Sequence, residues 1–441
     1  MIEISCEAQK ALEILLKNGF EAFVVGGYVR DVIMGKDSND VDITTNALPL
    51  QIENCFSSYR VIETGIKHGT VTVIINKQPV EITTYRKEST YSDNRHPDKV
   101  EFCTALESDL SRRDFTVNAL AYNHETGIVD MFSGRKDIEN KIIRAIGNAK
   151  ERFNEDSLRI LRALRFSSVL GFEIEKGTSA AIHECKDLIK NVANERIATE
   201  LRKMLCGKNI KKILLDYFDV FEIILPELKD TKGFLQHNFH HKYDVYEHIA
   251  TVVENAPATD YMRLAALFHD CAKPECFSLD ENGVGHFYSH ASKSAESAKE
   301  ALKRLRFDNQ TVKRVETLVK QHDSPIEEKS GIIKRKLNKF GEEMLFDLIA
   351  LQRADTLGLA DEFHSRLSHF ERLHSLTAEI LSERQCFSVK DLAINGNDIK
   401  LLGFSGREIG FILESLVSAV IDSKVNNEKD ELLNYVSCLN I

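Results

Sequence analysis

The spacing of hydrophobic and polar positions changes at about residue 145. Before it, FVVGG predicts a buried strand that ends in glycines, and TVTVIINKQPVEITTY alternates apolar and polar residues around a turn at 76–79, which predicts a hairpin. After it, helical spacing dominates, and Asn154 is placed to cap the helix EDSLRILRALRF. The pattern therefore predicts an α+β fold, with a small mixed β-sheet in an N-terminal head and an all-helical remainder.

Short polar stretches and glycines interrupt the helical pattern at intervals. A chain of 441 residues is too long for one ordinary domain and predicts two to four folding units. We place the segments at 1–146 (head), 147–229 (helical neck and body), 230–365 (a histidine-rich module) and 366–441 (helical tail).

Composition excludes several classes of protein. Hydrophobic residues make up 43% and charged residues 29%, which is a soluble balance, and no apolar run is long enough to span a bilayer. The first ten residues carry acids where a secretion signal carries positive charge. The nine cysteines are scattered without a CxxC pair, which argues against a zinc ribbon or a disulfide framework. We therefore expect a cytoplasmic protein without a membrane partner.

The net charge of -10 argues at first against nucleic acid, because phosphate contacts need clustered Lys and Arg. The charge is unevenly distributed, however. Residues 151–212 hold thirteen Lys and Arg and nine Asp and Glu, a local net charge of +4. A basic stripe of this kind can steer RNA to one face of an acidic protein.

The segment VVGGYVRDVIMGKDSNDVDITT predicts a site for nucleotidyl transfer. Gly26 and Gly27 let phosphate approach the backbone at a helix start, and Arg30 lies one turn into that helix, although two glycines alone are also found in ordinary strand-to-helix turns. Asp40 and Asp42 lie at i and i+2 of a strand and point to one face. Their mutual repulsion predicts a pair of Mg²⁺ ions, which would activate a hydroxyl and hold a triphosphate.

Other polar residues of the head add to this site. Glu81 is a candidate third carboxylate in the hairpin strand VEITTYR, although an exposed strand glutamate explains it equally well. In LSRRDFTVNALAY, Arg113 is a candidate ligand of the triphosphate, and Asp114 or Asn118 of a ribose hydroxyl. The alternative for these three is a surface ion pair with a helix cap.

A base-selecting function is predicted for the start of EDSLRILRALRF. Asp156 and Arg159 are at i and i+3, so they are expected to share a helix face, where a plain salt bridge is the alternative. A carboxylate accepts and a guanidinium donates, which complements the amino group and ring nitrogen of both cytosine and adenine and rejects uracil and guanine. Arg162 and Arg165 continue the stripe toward phosphates.

In these motifs the chain resembles the class II CCA-adding tRNA nucleotidyltransferases of the DNA polymerase β superfamily. GGYVRD, DVD, a YxDxRxP loop, RRDFTVNALAY and EDSLRILRALRF follow in the family's order over about 170 residues, and the C-terminal run DLAINGNDIKLLGFSGREIGFILESLVSAVI resembles the family's tRNA-binding tail. The loop residues Asp93, Arg95 and Pro97 favour complete CCA addition over addition of CC alone. Bacterial poly(A) polymerases share most of these motifs.

The resemblance implies a role for each motif residue. Metal binding falls to Asp40 and Asp42, and contacts to the incoming nucleotide fall to Gly27, Arg30, Arg113, Asp156, Arg159, Arg162 and Arg165. The expected partners are tRNA, ATP and CTP, and the expected cofactor is Mg²⁺.

A second constellation lies between about 230 and 365. It resembles an HD-type metal-dependent phosphohydrolase domain, whose ligand order H…HD…D is met here, with extra histidines for a second metal. The residues concerned are His248, His269, Asp270, His290, His322 and Asp355. Imidazole and carboxylate suit Mn, Fe, Co, Ni or Zn. The alternative is a degenerate domain kept as a scaffold.

The sequence thus favours an RNA-extending transferase with an accessory HD module. A poly(A) polymerase is one alternative, and an HD phosphohydrolase whose head only binds nucleotide is another. An RNA-binding scaffold would not need two carboxylates on one strand.

Overall fold

The computed structural model describes residues 2–38, 40–62, 65, 69–88, 100–238 and 242–437. They form two compact units, Met1–Pro226 and Glu227–Ile441.

The first unit is built on a seven-stranded mixed sheet with the strand order β3-β4-β5-β2-β1-β8-β9. Its strands are β1 (Ala22–Val25), β2 (Val41–Thr45), β3 (Arg60–Ile62), β4 (Thr70–Ile75), β5 (Gln78–Thr84), β8 (Leu120–Asn123) and β9 (Gly127–Asp130). The pair β2 and β5 is parallel, and the other neighbours are antiparallel. Two smaller ladders pair β6 (Arg86–Glu88) with β7 (Val100–Phe102), and β10 (Ile142–Ile143) with β11 (Glu173–Ile174).

Helices cover the sheet and continue beyond it. Those of the first unit are α1 (Cys6–Lys17), α2 (Gly27–Ile33), α3 (Pro49–Cys55), α4 (Leu106–Ser111), α5 (Gly134–Glu139), α6 (Ala149–Glu155), α7 (Leu158–Leu170), α8 (Lys176–Cys185), α9 (Asn194–Leu205), α10 (Ile210–Asp216) and α11 (Phe218–Ile224). The α+β fold expected from the sequence is confirmed.

The hairpin of β4 and β5 shows how local sequence sets this sheet. Its two-residue turn is Asn76–Lys77, and both residues have positive φ, 50° and 69°. Tight turns between twisted antiparallel strands require this backbone, and asparagine adopts it at low cost. The apolar positions of β4 (Val71, Val73 and Ile75) are buried and alternate with partly exposed ones, so the register matches the hydrophobic pattern.

The helix expected to begin after Asn154 is divided differently. Asn148, not Asn154, caps α6, because its side chain accepts a hydrogen bond from the amide of Lys150. Asn154 lies inside α6 and donates to the carbonyl of Lys150. The chain then breaks at Asp156, whose backbone is extended, before α7 begins. The expected cap at Asn154 was therefore wrong.

The second unit is helical apart from one small hairpin, β12 (Phe277–Leu279) and β13 (Gly285–Phe287). Its helices are α12 (Val245–Asn255), α13 (Asp260–Phe268), α14 (His290–Arg304), α15 (Asn309–Gln321), α16 (Ser330–Phe340), α17 (Glu342–Leu357), α18 (Leu367–Ser382), α19 (Gly396–Leu401), α20 (Arg407–Ile421) and α21 (Lys429–Ser437). Buried apolar side chains of α16, α17 and α18 pack into one core, and those of α19, α20 and α21 pack into another. Within the described ranges, no helix has both the length and the apolar character needed to cross a bilayer.

Candidate active site and histidine cluster

Gly26 forms the turn between β1 and α2 and brings the backbone against the candidate site. Its φ is 74°, a backbone conformation that residues other than glycine rarely adopt. A Cβ atom there would lie 3.0 Å from Nη1 of Arg113 and 3.9 Å from Oδ2 of Asp42. At Gly27 the nearest atom would be Nη2 of Arg30, at 3.4 Å, which is an ordinary contact. The sequence motif contains both glycines, but the structure requires glycine at position 26.

We predict that Gly26→Ala lowers nucleotide incorporation by more than about 100-fold, because the methyl group meets both a strained φ and the arginine beside it. Gly27→Ala is the matched control and should lower it less than about 5-fold. Steady-state incorporation by the two purified proteins compares them directly. Equal activities would mean that the close approach at Gly26 has no role.

Three carboxylate residues lie around the start of β2. Asp42 lies in β2, Asp40 directly precedes the strand, and Glu81 is the partner of Asp42 in the parallel ladder of β2 and β5. Burial, then the charge of Asp40, and to a lesser degree that of Glu81, raise the pKa of Asp42 to about 6, against the opposing charge of Arg113. Carboxylates whose charges disfavour one another fit a divalent cation.

Arg113 lies beside Asp42 and forms an ion pair with Asp109. The Asp109 side chain is fully buried and pairs with both Arg112 and Arg113, at 2.7 and 3.5 Å, and it also accepts from Oγ1 of Thr44. Burial alone would raise the pKa of Asp109, but the two guanidinium groups and these hydrogen bonds lower it. Nε of Arg113 is buried without a hydrogen-bond partner among the described residues. The sequence analysis did not identify Asp109, although a carboxylate four residues before Arg113 on a helix was a usable signal.

A chain of hydrogen bonds joins the head to α7. Nη1 of Arg30 donates to Oδ1 of Asn118 at 2.6 Å, and Nδ2 of Asn118 donates to Oδ1 of Asp114 at 3.0 Å. Oδ2 of Asp114 accepts from Nε and Nη2 of Arg162, at 2.8 and 2.6 Å. Burial would raise the pKa of Asp114, but Arg162 and Asn118 lower it to about 2. The residues expected to hold a ribose hydroxyl thus already bind protein groups.

Glu200 of α9 extends this chain to the last arginine of the stripe. One of its oxygens accepts from Nε of Arg165, and the other lies 3.8 Å from Nη1 of Arg162. Glu200 was not predicted, since it lies 35 residues beyond Arg165 in the sequence. Arg30, Arg162 and Arg165 are thus linked in one chain of polar contacts, and Arg113 is held separately by Asp109.

Asp156 and Arg159 do not share a helix face as expected. Asp156 lies in the break between α6 and α7, where its Oδ1 accepts from the amide of Leu158 and its carboxylate pairs with Arg196 at 3.2 and 3.0 Å. Arg159 pairs with Glu155 at 2.7 Å. The expected same-face pair was wrong, because the helix starts after Asp156.

Arg159 is nevertheless fixed close to Asp156. Its amide donates to the carbonyl of Asp156 at 3.0 Å, and its Nη2 donates to the carbonyl of Arg112 at 2.8 Å. The guanidinium is almost completely buried. Both side chains are thereby oriented by fixed partners before any base is present.

In the second unit, four histidines and two aspartates form two adjoining groups. Nε2 of His248 lies 3.2 Å from Nε2 of His269, 3.3 Å from Oδ2 of Asp270 and 3.0 Å from Oδ1 of Asp355. Candidate ligand atoms of these four residues all lie within 4.8 Å of one another. His248 lies in α12, Asp355 in α17, and His269 and Asp270 directly follow α13.

The other oxygen of Asp270 faces a second group. Its Oδ1 lies 3.3 Å from Nε2 of His290 and 3.6 Å from Nε2 of His322. This oxygen is buried and accepts no hydrogen bond within the described part of the chain. Asp270 therefore belongs to two groups, one on each carboxylate oxygen.

The tautomers of these histidines follow from their backbone partners. Each Nδ1 lies beside a carbonyl oxygen, at Gly358, Ala266, Phe287 and Val319 for His248, His269, His290 and His322 in turn. A carbonyl can only accept, so each Nδ1 carries a proton and each Nε2 points into the cluster. Burial alone would lower the pKa of His269, but Asp270 and Asp355 raise it to about 10. The structure thus brings all six predicted residues together, and the Nε2 atoms of the four histidines point toward the two carboxylates, where a metal ion would bind.

Lys273 completes this cluster and was not predicted. It lies one turn after Asp270, is almost fully buried, and its Nζ is 2.7 Å from Oδ2 of Asp270 and 2.9 Å from Oε1 of Gln236. The spacing HDxxK was a usable signal. The predicted loop residues Asp93, Arg95 and Pro97 lie outside the described residues.

Comparisons with known proteins point to one family. The model of the poly A polymerase head domain matches residues 22–144, that of the RNA and SrmB-binding site of polymerase A matches 171–232, and that of tRNA nucleotidyltransferase domain 2 matches 281–436. A CCA-adding enzyme of Levilactobacillus brevis is 33% identical over 432 residues, which cover 98% of this chain and 97% of that protein. One from Streptococcus agalactiae is 32% identical over 437 residues, with 98% and 96% covered.

Among solved structures, the chain is similar to the Bacillus stearothermophilus CCA-adding enzyme in complex with CTP. The TM-score is 0.68 at 26% identity, and 98% of this chain and 96% of that chain are covered. The likeness extends over nearly the whole of both chains.

Proposed function

The chain belongs to the family of CCA-adding enzymes, and on that premise we propose that it adds C, C and A to the 3′ end of tRNA from CTP and ATP by two-metal nucleotidyl transfer. The observation that carries this proposal is the approach of Asp42 and Arg113 to the backbone at the Gly26 turn, with Glu81 opposite Asp42 in the ladder and Asp40 directly before the strand. These are the charges that a magnesium-bound triphosphate needs. The tail, residues 366–441, would hold the tRNA.

Asp40 and Asp42, with Glu81 beside them, would hold Mg²⁺. The cation would supply a lowered pKa for the attacking 3′ hydroxyl and charge neutralisation at the triphosphate. Arg113 would bind the phosphates from the other side, because Asp109 fixes its guanidinium and leaves Nε without a protein partner. Asp114 and Asn118 would act by orienting Arg162 and Arg30.

Base choice would rest on the break between α6 and α7. Asp156 accepts from the amino group of C or A, and Arg159 donates to N3 or N1 of the same base. The Arg196 and Glu155 ion pairs hold the two side chains in place, so that the protein presents a fixed edge in the manner of a template. Uracil and guanine would be rejected, because their carbonyl oxygen would face the Asp156 carboxylate and their ring N–H would face the Arg159 guanidinium.

The direct test is incubation with tRNA that lacks its CCA, with CTP alone, ATP alone, both together, and UTP or GTP. We expect addition of two residues with CTP and completion to three with CTP and ATP, as sized on a gel. A long ladder with ATP alone would establish the poly(A) polymerase alternative. No extension under any condition would overturn the transferase proposal.

A second activity, metal-dependent phosphohydrolysis, is favoured by the cluster in the second unit. Four Nε2 atoms, two carboxylates and a buried, unpartnered Oδ1 of Asp270 fit divalent transition metals. His248, His269, Asp270 and Asp355 would hold one ion, and Asp270, His290 and His322 a second. Such ions would supply Lewis acidity toward a phosphate ester. Lys273 adds a buried positive charge suited to an anionic substrate.

We predict that elemental analysis of the purified protein finds transition metal in a pattern set by Asp270. The wild type should hold up to two ions per chain, His290→Ala about one, and Asp270→Ala none, because Asp270 belongs to both groups. His374→Ala, at an exposed histidine of α18, is the control and should keep the wild-type content. Phosphatase assays with Ni²⁺, Co²⁺ or Mn²⁺ test the activity. A metal-free wild type without metal-stimulated hydrolysis would support the scaffold alternative.

A further inference from the structure

A single aromatic ring lies among three arginines of the proposed nucleotide site. The ring centroid of Phe166, in α7, is 3.8 Å from Cζ of Arg165, 5.2 Å from Cζ of Arg30 and 5.4 Å from Cζ of Arg162. All three distances are within the range of cation–π attraction. Phe166 is almost fully buried and is itself braced by an edge-on contact with the ring of Phe115 at 5.8 Å.

Asn118, Asp114 and Glu200 link these arginines in series, but no single one of these polar partners contacts all three. Arg30 pairs with Asp31, and Arg162 with Asp114, while Glu200 reaches only Arg162 and Arg165. The ring of Phe166 is the group that contacts all three guanidiniums in the described structure.

An aromatic face also differs from a carboxylate because it leaves the charge and the N–H donors of an arginine available to an anion. It attracts a guanidinium without neutralising its charge and without occupying its N–H donors. A fourth carboxylate in this place would hold the arginines equally well, but it would repel a triphosphate. The ring therefore gathers positive charge while keeping that charge usable by an anion.

We propose that Phe166 is a positioning residue of the nucleotide site, which holds Arg30, Arg162 and Arg165 together so that they bind the triphosphate as a unit. This inference rests on the proposed nucleotidyl transfer. Arg30 comes from α2 of the head and the other two from the helical body, so the ring also joins the two elements on which the site is built.

Phe166→Leu tests the proposal, because leucine keeps the apolar volume and removes the π face. We expect KM for CTP and the inhibition constant of pyrophosphate to rise together by about 10-fold, with KM for tRNA unchanged and kcat within about 3-fold. Phe166→Tyr keeps the ring and should restore nucleotide binding to within about 2-fold of the wild type. Phe221→Leu, at a fully buried ring of α11, is the control for the loss of a core aromatic ring.

Pyrophosphate is the informative probe, since it reports anion binding without a base or a primer. If Phe166→Leu lowers Tm as Phe221→Leu does while both nucleotide constants stay at wild-type values, the ring only packs the core and the proposal is wrong. A wild type that extends no RNA would instead overturn the proposed function itself. Should Phe166→Leu fail to fold, the tyrosine variant and Phe166→Met provide the same comparison.

Discussion

Asp42→Asn is expected to lower the rate of nucleotide addition by at least about 1000-fold and at the same time to stabilise the metal-free fold. The amide has the same shape, but it cannot supply the negative charge that holds the cation and neither repels Asp40 nor is repelled by it. Loss of activity and gain of stability would therefore occur in one variant. The same loss of activity is expected for Asp40→Ala with the fold intact.

The sign of the stability effect follows from linkage. The folded pKa of Asp42 is about 6, above its ordinary value of 3.8, so the folded state binds more protons between these values and loses stability as the pH rises through them. At neutral pH the ionised Asp42 costs on the order of 3 kcal/mol at most. Thermal unfolding in EDTA should thus show the variant above the wild type at pH 7.5, with the two curves converging as the pH falls from about 6 toward 3.8.

Magnesium should reverse this difference. It should raise the Tm of the wild type at pH 7.5 and have little effect on Asp42→Asn. Asp37→Asn, at an exposed carboxylate a few residues upstream, is the control and should match the wild type in both assays. If Asp42→Asn or Asp40→Ala extended tRNA at a near-wild-type rate, the two-metal proposal would be wrong.

Asp156→Ala is expected to remove the preference for C and A. Losing a buried charged partner typically costs about 1–3 kcal/mol, which predicts a 10- to 100-fold drop in CTP and ATP incorporation and a relaxed exclusion of UTP and GTP. The variant also leaves Arg196 without its bidentate partner, so some loss of stability is expected. Alanine deletes the acceptor without adding bulk.

Single-nucleotide addition with each of the four NTPs measures this effect. Asp187→Ala, at an exposed carboxylate of the same helical body, is the matched control and should keep the wild-type selectivity. If Asp156→Ala retained its full preference for C and A, discrimination would have to come from elsewhere, such as the RNA end. Arg196→Lys should give a milder version of the same loss, because lysine pairs with the carboxylate at only one point.

The sequence by itself determined the elements whose information is local. The hairpin follows from alternation and from a turn residue that tolerates positive φ, although its turn is Asn76–Lys77 and not the predicted 76–79. The GG and DVD motifs identify the strand-to-helix turn and the carboxylate pair, because the chemistry needs those residues a fixed few positions apart. The order H…HD…D, through its resemblance to an HD domain, indicated the six histidine and aspartate residues that the structure brings together.

Only the tertiary structure decided which partners hold these residues. Glu200 and Arg196 lie on α9, and no short spacing relates them to the side chains they fix. The break at Asp156 also escaped the pattern, since its flanks keep helical spacing and only the backbone reveals the extended residue. Long-range electrostatics between buried groups depends on distances that the fold alone sets, so the sequence could determine which chemistry is present but not how its charges are balanced.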